Sequence, residues 1–386
     1  MNLRTTNEPR SSNLDLLRLI TATAVIFGHA YALNKVKEPG FLGDSVGYLR
    51  VKVFFVMSGA LLARSWIRDP HFLRYFARRM IRLLPGLTLV VLVTAFVIGP
   101  IVSTFSVSEY FQHPLTWKYL RNIYFYPQYY LPGVFLDLPL KGGINGSLWS
   151  LAVEVMMYLL LPVVLWLGQK TRLLQGVAWA VTLALCGWSI YWSHISPPDG
   201  PVVFFNVSMR GAVGLAPFFM IGALLGLRGW HKRMSLQWSV AAVILMAFFT
   251  PTGVLLSLVT FLLIPMLVLS LGFSEKPVFA WVSGYGDYAY GIYLWGFPVQ
   301  QILISLWGGP MPPVLNFALT LPIAFFLAVV SWHGVEKWFL KLRPAVPSQH
   351  PGHAPAGGVI SLDASTHGDA PVAAVTGSRQ AAGGQG

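Results

Sequence analysis

The chain has 386 residues, of which 55% are hydrophobic and only 11% are charged. A soluble protein of this length carries about a quarter charged residues, so the composition excludes an ordinary soluble domain and indicates a polytopic membrane protein. The net charge of +13 comes from short basic clusters between apolar runs. Because these clusters form no basic domain, we expect no nucleic-acid partner.

Apolar runs of about 20 residues, the length that crosses a bilayer as a helix, recur along the chain. We predict an all-α bundle of about ten transmembrane helices that lies within the lipid bilayer. The single cysteine, Cys186, lies inside an apolar run, and no Cys/His spacing indicates a metal site. The predicted spans lie near 14–33, 46–66, 83–105, 147–167, 173–193, 209–228, 235–250, 253–272, 286–307 and 313–334.

The distribution of basic residues predicts the orientation. With the N-terminus in the cytoplasm, most Lys and Arg of the connecting segments lie on the cytoplasmic side, as the positive-inside rule requires. Ten spans then return the C-terminus to that side, so both termini are predicted to be cytoplasmic. The sequence AYA at 30–32 resembles a signal-peptidase site. Asp15 and Arg18 are unusual in a signal peptide, so we expect the first span to be retained.

The chain divides into three predicted parts. A cytoplasmic segment, 1–12, precedes a transmembrane domain, 13–343, and a tail, 344–386, that is rich in Pro, Gly, Ala and Ser and is expected to be disordered. Within the membrane domain, 106–146 forms a long extracytoplasmic loop rich in aromatic residues. A loop of this length is more often functional than a plain connector. Its rings suit stacking on sugars, although an interfacial aromatic belt explains them equally well.

The first predicted span carries three ionisable side chains. At 100° per residue, Arg18 and His29 return to within about 20° of the same helix face, roughly 16 Å apart along the axis. Asp15 lies three residues before Arg18, where the two can pair. Ionisable groups inside a membrane are functional candidates, and histidine suits proton transfer near neutral pH. The structural alternative is a histidine satisfied by a neighbouring helix.

An arginine cluster marks the cytoplasmic end of the third predicted span. Arg78, Arg79 and Arg82 lie in RRMIRLLPG, just before the apolar run. Arg79 and Arg82 are i, i+3 neighbours and can act together on one phosphate-bearing ligand. Ordinary positive-inside anchoring is the alternative.

The fourth predicted span begins with a polar motif, NGSLWSLAVE. Glu154 lies roughly two turns into this span and requires a partner, for which His29 or an arginine is suitable. Asn145, Ser147 and Trp149 lie at the mouth of the span, where they are suited to hydrogen-bond or stack against a sugar. A structural ion pair is the alternative for Glu154.

Taken together, these elements resemble the acyltransferase-3 family of integral membrane acyltransferases, from about residue 13 to residue 343. Six elements occur in the order that this family has. They are LDLLRLITATAVIFGHA with Arg18 and His29, VFFVMSGALL with Ser58, RRMIRLLP with Arg79 and Arg82, SLWSLAVEVMMYLLLP with Glu154, YAYGIYLWGFPVQ and HGVEKWFLKLRP.

The chain departs from the family pattern at two positions. The late helix of the family often reads YLxH, whereas Gly296 follows Trp295 here, so no second histidine is available. The closing element has Trp338 where proline is common. Neither departure affects His29 or the arginines.

The resemblance implies a multi-pass enzyme of the bacterial inner membrane. It would move an acyl group, usually acetyl, from cytoplasmic acyl-CoA to a hydroxyl of an extracytoplasmic carbohydrate. The implied role of His29 is general base or acyl relay, with Arg18 orienting it or binding the donor and Glu154 orienting a histidine or the acceptor hydroxyl. The residues implied to bind the coenzyme A phosphates are Arg78, Arg79 and Arg82. Those implied to contact the acceptor are Ser58, Asn145, Ser147 and Trp149.

Several alternatives remain open from the sequence. The acceptors that remain open are exopolysaccharide, lipopolysaccharide, peptidoglycan, a lipochitin oligosaccharide and a small secondary metabolite. The short tail contains no soluble esterase-like domain, so the chain is expected either to complete transfer alone or to hand the acyl group to a separate extracytoplasmic partner. A multi-pass transporter or flippase without covalent chemistry also fits ten spans with intramembrane charges. A structural or assembly subunit would tolerate replacement of His29.

Overall fold

The computed structural model describes an almost entirely helical chain. The described residues are 12–41, 44–170, 172–194, 203–227, 235–249, 252–274 and 286–345. The helices are α1 Ser12–Leu33, α2 Val46–Arg68, α3 Phe72–Val93, α4 Gly99–Val102, α5 Val107–Gln112, α6 Pro114–Tyr119, α7 Leu148–Lys170, α8 Arg172–His194, α9 Met209–Leu227, α10 Leu236–Phe249, α11 Gly253–Gly272, α12 Tyr288–Trp307, α13 Pro313–Ser331 and α14 Lys337–Phe339.

Shorter elements connect these helices. Two antiparallel hairpins pair β1 (Gly40–Phe41) with β2 (Asp44–Ser45), and β3 (Val203–Phe204) with β4 (Val207–Ser208). Short 3-10 and π-helical turns continue several of the helices. They are the 3-10 turns Leu120–Tyr124 and Leu340–Leu342 and the π-helical turns Thr94–Ile98 and Trp332–Glu336.

Helices occupy all ten predicted span positions. Seven helical segments in the described part of the chain are long and apolar enough to cross a membrane. The exceptions are α8, α10 and α12, and α10 has only 14 residues. In α12, the side chains of Gln300 and Gln301 are completely buried. This helix is therefore stabilised by packing inside the protein rather than by contact with lipid. The expected tail lies outside the described residues from 346 onward.

The third helix begins earlier than the apolar run that predicted it. The sequence predicted a span from 83 to 105, whereas α3 starts at Phe72. His71 caps it by accepting the backbone N–H of Arg74 at 3.4 Å. The arginines that precede the apolar run therefore lie within the helix. This placement lets Arg79 and Arg82 face the protein interior.

The pair α2 and α9 forms the closest helix contact near the site. A Cβ added at Gly59 would lie 2.0 Å from the carbonyl oxygen of Phe219, and one at Gly222 would lie 2.3 Å from that of Val56. Small residues of this kind let helix backbones approach closely in membranes, where packing replaces the hydrophobic effect as the driving force. The glycines fix the position of α2, which contributes side chains to both cavities described below.

The predicted outer loop is folded rather than open. It contains α5 and α6, and two of its tyrosines, Tyr110 and Tyr119, are completely buried. The Tyr110 hydroxyl donates to the carbonyl of Ala95 at 2.8 Å and packs against Gly99. Part of the aromatic content is therefore core, while Tyr124 remains exposed.

We predict that Gly222→Ala lowers the thermal stability of the purified protein in detergent. The new methyl group would clash with the backbone of α2 and push the two helices apart. Gly187→Ala in α8 is the matched control, because a Cβ there meets nothing within 4 Å and alanine favours a helix. Melting curves of the two variants test this, and equal melting temperatures would show that α2 and α9 are not tightly packed.

Candidate active site

An internal cavity, here called the inner cavity, lies between α1, α2, α3, α7 and α12. It encloses roughly 850 Å³ of empty space, part of it open to the surroundings. Five of the residues selected from the sequence line it together: Arg18, Ser58, Arg79, Arg82 and Glu154. The remaining polar lining comes from Thr21, Ser150, Tyr158, Asp287, Tyr290 and Tyr293.

The charged groups of the inner cavity are mostly neutralised within the protein. Arg18 pairs with Asp15 at 3.3 Å, as the sequence predicted. Arg82 forms a salt bridge with Asp287, which directly precedes α12. This second pair joins residues 205 positions apart in sequence, and no local spacing could have revealed it.

Glu154 is 4% exposed, and its carboxylate accepts hydrogen bonds from hydroxyl groups. Ser58 donates to Oε1 at 3.1 Å, and Tyr158, one turn further along α7, donates to the same oxygen. The sequence suggested His29 or an arginine as its partner. The structure provides hydroxyls as direct partners, while Arg18 and Arg82 line the same cavity.

Arg79 has the least satisfied guanidinium group in the inner cavity. Its Nε is buried without a hydrogen-bond partner among the described residues, and its guanidinium lies 5.9 Å from the ring centre of Tyr75. A buried donor without a partner is costly. The orphaned donor, on a side chain that lines the cavity, fits a ligand with anionic oxygens.

The structure separates Arg78 from its two neighbours. Arg78 binds the Asp69 carboxylate at 2.8 Å, next to Arg74, which binds the same carboxylate at 2.6 Å. These hydrogen bonds, those from Arg74 above all, hold the pKa of Asp69 well below its usual range. Arg78 does not line the inner cavity, and its described partner is Asp69 in the turn between α2 and α3; its expected role in binding coenzyme A stays a prediction.

His29 lies one turn beyond the inner cavity. Val25, four residues earlier on the same face of α1, still lines the cavity. The His29 ring packs edge-on against Phe297 with 5.2 Å between ring centres. Its Nδ1 is buried without a hydrogen-bond partner within the described structure. The ring nitrogen is therefore available for chemistry that the protein itself does not satisfy.

Arg50 is a charged neighbour of His29 that the sequence reading missed. It is 8% exposed and donates to the carbonyl of Ala24 at 2.5 Å. Its guanidinium packs so closely on Gly28 that a Cβ there would lie 2.2 Å away, and a Glu38 oxygen would lie 2.7 Å from the same Cβ. The only available sequence signal was a basic residue within α2, which reads as an ordinary interfacial charge.

The late helix explains why the family's second histidine has no counterpart here. A Cβ at Gly296 would lie 2.8 Å from the Ile26 side chain. The space beside Gly296 is therefore filled by close packing of α1 against α12. The sequence and the packing thus argue against any mechanism that relies on a histidine at 296.

A second cavity, here called the outer cavity, lies at the first turns of α2 and α7, where Tyr48 and Trp149 line it. It encloses about 700 Å³ of empty space, including open solvent. Trp149, selected from the sequence, lines it, but Asn145 and Ser147 do not. Its described lining consists of Tyr48, Tyr129, Trp149, Ser208, Arg210 and Gly211.

Asn145 and Ser147 are instead used inside the protein. Asn145 is completely buried and donates to the carbonyl of Leu294 at 3.1 Å. The Ser147 hydroxyl donates to Asn145 Oδ1 at 2.6 Å, and the Ser147 carbonyl accepts from Tyr293. These two residues fasten the start of α7 to α12 rather than presenting hydrogen-bonding groups to the outer cavity.

A thin layer of side chains separates the two cavities. On α7, Trp149 lines the outer cavity and the next residue, Ser150, lines the inner one. On α2, Tyr48 lines the outer cavity and Val51, one turn later, lines the inner one. The hydroxyls of Ser150 and Tyr293 lie 3.0 Å apart in this layer. The partition is thus about one helical turn thick.

Within the described ranges, His, Cys, Asp and Glu side chains form no group of three that could hold a metal ion. The donor set of the inner cavity is dominated by guanidinium and hydroxyl groups, which suit an anionic organic ligand.

The helical fold and its two cavities define a multi-pass membrane protein with a charged site inside the helix bundle. A family model described as an acyltransferase domain matches residues 11–333. The chain therefore belongs to this acyltransferase family, which confirms the resemblance found in its motifs. Its class is that of acyl-transferring membrane enzymes.

Named relatives support the same class. The chain is 30% identical to an O-acetyl transferase of Shigella phage Sf6, over 86% of this chain and 96% of the relative. It is 25% identical to nodulation protein 10 of Rhizobium leguminosarum, over 87% of the chain and 95% of the relative. It is 26% identical to the peptidoglycan O-acetyltransferase OatA of Listeria monocytogenes, over 86% of the chain and 56% of that relative. No solved structure matches the chain.

The Arg82–Asp287 pair yields a prediction that distinguishes a purely structural role of Arg82 from a role in the inner cavity. Asp287→Asn is expected to destabilise the protein by roughly 1–3 kcal/mol, between the values for exposed and buried ion pairs. Exchanging the two residues (Arg82→Asp with Asp287→Arg) is expected to recover part of that stability but not acyl transfer, because a carboxylate then replaces the cavity arginine.

Thermal melts and an acyl-transfer assay on the same preparations test this prediction. Asp137→Asn, at an exposed loop position, is the control for loss of one carboxylate. If the exchanged variant regains activity together with stability, Arg82 is only a structural partner of Asp287.

Proposed function

We propose that the protein transfers an acyl group, acetyl above all, from cytoplasmic acyl-CoA to a hydroxyl of an extracytoplasmic carbohydrate at the bacterial inner membrane. The observation that carries the proposal is the pair of cavities along α2 and α7, which lie about one helical turn apart. A donor and an acceptor on different sides of a membrane require two such sites that nearly meet. The names of the relatives support acetyl as the group.

The inner cavity fits the donor. In the predicted orientation it faces the cytoplasm, since α1 and α3 both start there. Arg79 and Arg82 would bind the phosphate oxygens through charge-assisted hydrogen bonds, with Arg79 contributing its unsatisfied donor. Arg18 would hold the acyl end of the donor, because it lies on the same helix face as His29. Glu154 would keep these cations from becoming an uncompensated cluster.

His29 is the proposed reactive group. Coenzyme A supplies an activated thioester. In one route, His29 takes the proton of the acceptor hydroxyl, the hydroxyl oxygen bonds to the carbonyl carbon, the carbon–sulfur bond breaks, and the sulfur leaves as a thiol after receiving that proton. In the other route, a ring nitrogen of His29 bonds to the carbonyl carbon, the carbon–sulfur bond breaks, and the sulfur leaves as a thiol with the proton that the ring gives up. The acceptor hydroxyl oxygen then bonds to the same carbon, the carbon–nitrogen bond breaks, and the hydroxyl proton returns to the ring. Both routes give one ester and one thiol.

The acceptor is proposed to reach His29 from the outer cavity. Trp149 offers an aromatic face that suits the apolar C–H face of a sugar ring. A direct transfer needs no further protein, while a relay would require a separate extracytoplasmic acyltransferase as partner. The Listeria relative extends well beyond the segment that this chain matches, which makes a partner of that kind reasonable to seek.

The first test compares wild type with His29→Ala at matched membrane expression. Base-labile acyl esters on surface and secreted glycans are measured by mass spectrometry. We expect esters in cells with wild type and a loss of at least a hundredfold in the variant, as general-base catalysis contributes about 10²- to 10⁴-fold. His194→Ala, a histidine that contacts Ser257 at 3.0 Å away from both cavities, is the control.

Each outcome of this test is informative. Unchanged esters in His29→Ala would exclude His29 as the reactive group. An absence of esters in both strains would contradict acyl transfer to glycans and favour the transporter interpretation.

A second prediction concerns the donor. Arg79→Gln is expected to raise the KM for acetyl-CoA in isolated membranes by about tenfold or more, since a hydrogen bond to a charged group contributes about 1.5–3 kcal/mol. The kcat should change less, because Arg79 would hold the phosphates rather than the reacting carbonyl. Lys341→Gln, whose ammonium lies 4.1 Å from the ring centre of Trp338, is the matched cation control. A fall in kcat at constant KM would contradict this role.

A further inference from the structure

The outer cavity has a wall of aromatic rings from three separate parts of the chain. Tyr48 comes from α2, Tyr129 from the outer loop and Trp149 from α7. The Trp149 indole packs so closely on α9 that a Cβ at Gly211 would lie 2.8 Å from it. Aromatic faces contact the C–H groups of a sugar ring, but they do not distinguish a neutral sugar from a charged one.

Arg210 is the charged residue of this wall, and the structure holds its backbone firmly. It follows the β3–β4 hairpin, whose turn residues Phe205 and Asn206 have φ of 53° and 56°. The Asn206 amide donates to the carbonyl of Pro127. The Tyr129 hydroxyl donates to the carbonyl of Asn206 at 3.5 Å. The hairpin is thus fastened to the outer loop, which fixes Arg210 relative to Tyr129.

The charge of the outer cavity is positive and uncompensated in the part of the chain that the structure describes. Its described lining contains Arg210 but no carboxylate, and Arg210 forms no hydrogen bond or ion pair with any described residue. A neutral acceptor would offer no anionic group to pair with an arginine at this position.

We propose that the outer cavity selects an anionic sugar, in which a carboxylate or a phosphate binds Arg210 while the sugar ring stacks on Trp149. This inference rests on the proposed function, because it takes the outer cavity as the acceptor site. Arginine suits the role, as its planar fork matches both groups bidentately. Arg210 would then determine specificity without touching the reacting atoms.

Binding measurements on the purified protein in detergent, without acyl donor, test the proposal. The probes are trigalacturonate with its methyl ester, and galactose 6-phosphate with galactose, so that carboxylate and phosphate are examined separately. We expect wild type to bind at least one anionic probe about tenfold more tightly than its neutral counterpart at low salt, with the difference shrinking as salt is added. Arg210→Gln should lose this difference.

Two variants control for other effects. Trp149→Ala should weaken both members of a pair, whereas Lys118→Gln, an exposed cation of α6 outside the cavity, should leave the preference intact. Equal binding of both members in wild type, absence of binding by all four probes, or a preference that survives in Arg210→Gln would overturn the proposal. Because no acyl donor is present, these results are independent of whether acyl transfer itself occurs.

Discussion

The structure depends on one constraint, which is that charges inside a membrane protein must be paired or solvated. Ionisable groups are costly in hydrocarbon, and the structure meets this cost by pairing groups from different helices. Arg82 of α3 meets Asp287 before α12, and Glu154 of α7 meets Ser58 of α2. Each pair fixes two helices relative to each other. The same ion pairs and hydrogen bonds that offset the cost of burying these charges therefore also give the inner cavity a defined shape.

Several buried polar groups of the described structure lack a hydrogen-bond partner, and two of them, on Arg79 and His29, give the site its chemical character. Arg79 Nε and His29 Nδ1 are buried without partners in the described structure. A protein that needed these groups only for packing would gain stability by replacing them with apolar side chains of similar volume. Their retention is understandable if a ligand completes the hydrogen bonding of one and a substrate that of the other. The two groups lie on different helices, at different depths along the path between the cavities.

The sequence predicted what lies within one helix better than what lies between helices. The Asp15–Arg18 pair followed from i, i+3 spacing, and helices formed at all ten predicted positions. Arg78 and Arg79 are adjacent in sequence, yet one faces Asp69 and the other the inner cavity. No helical period could decide this, because the choice depends on where α2 ends. Asp287 was missed for the same reason, since its partner lies far away in the chain.

The position of His29 limits how far the donor must reach. Val25 lines the inner cavity and His29 lies one turn, about 5.4 Å, further along α1. Under the proposed function, phosphates held near Arg79 would leave the acyl end of a long donor free to extend toward that turn, while the bulk of the donor stays on its own side. The layer of Ser150 and Tyr293 would then need to admit only the small acyl group. A partition that passes an acetyl group but blocks a nucleotide would permit transfer across the membrane without opening a pore.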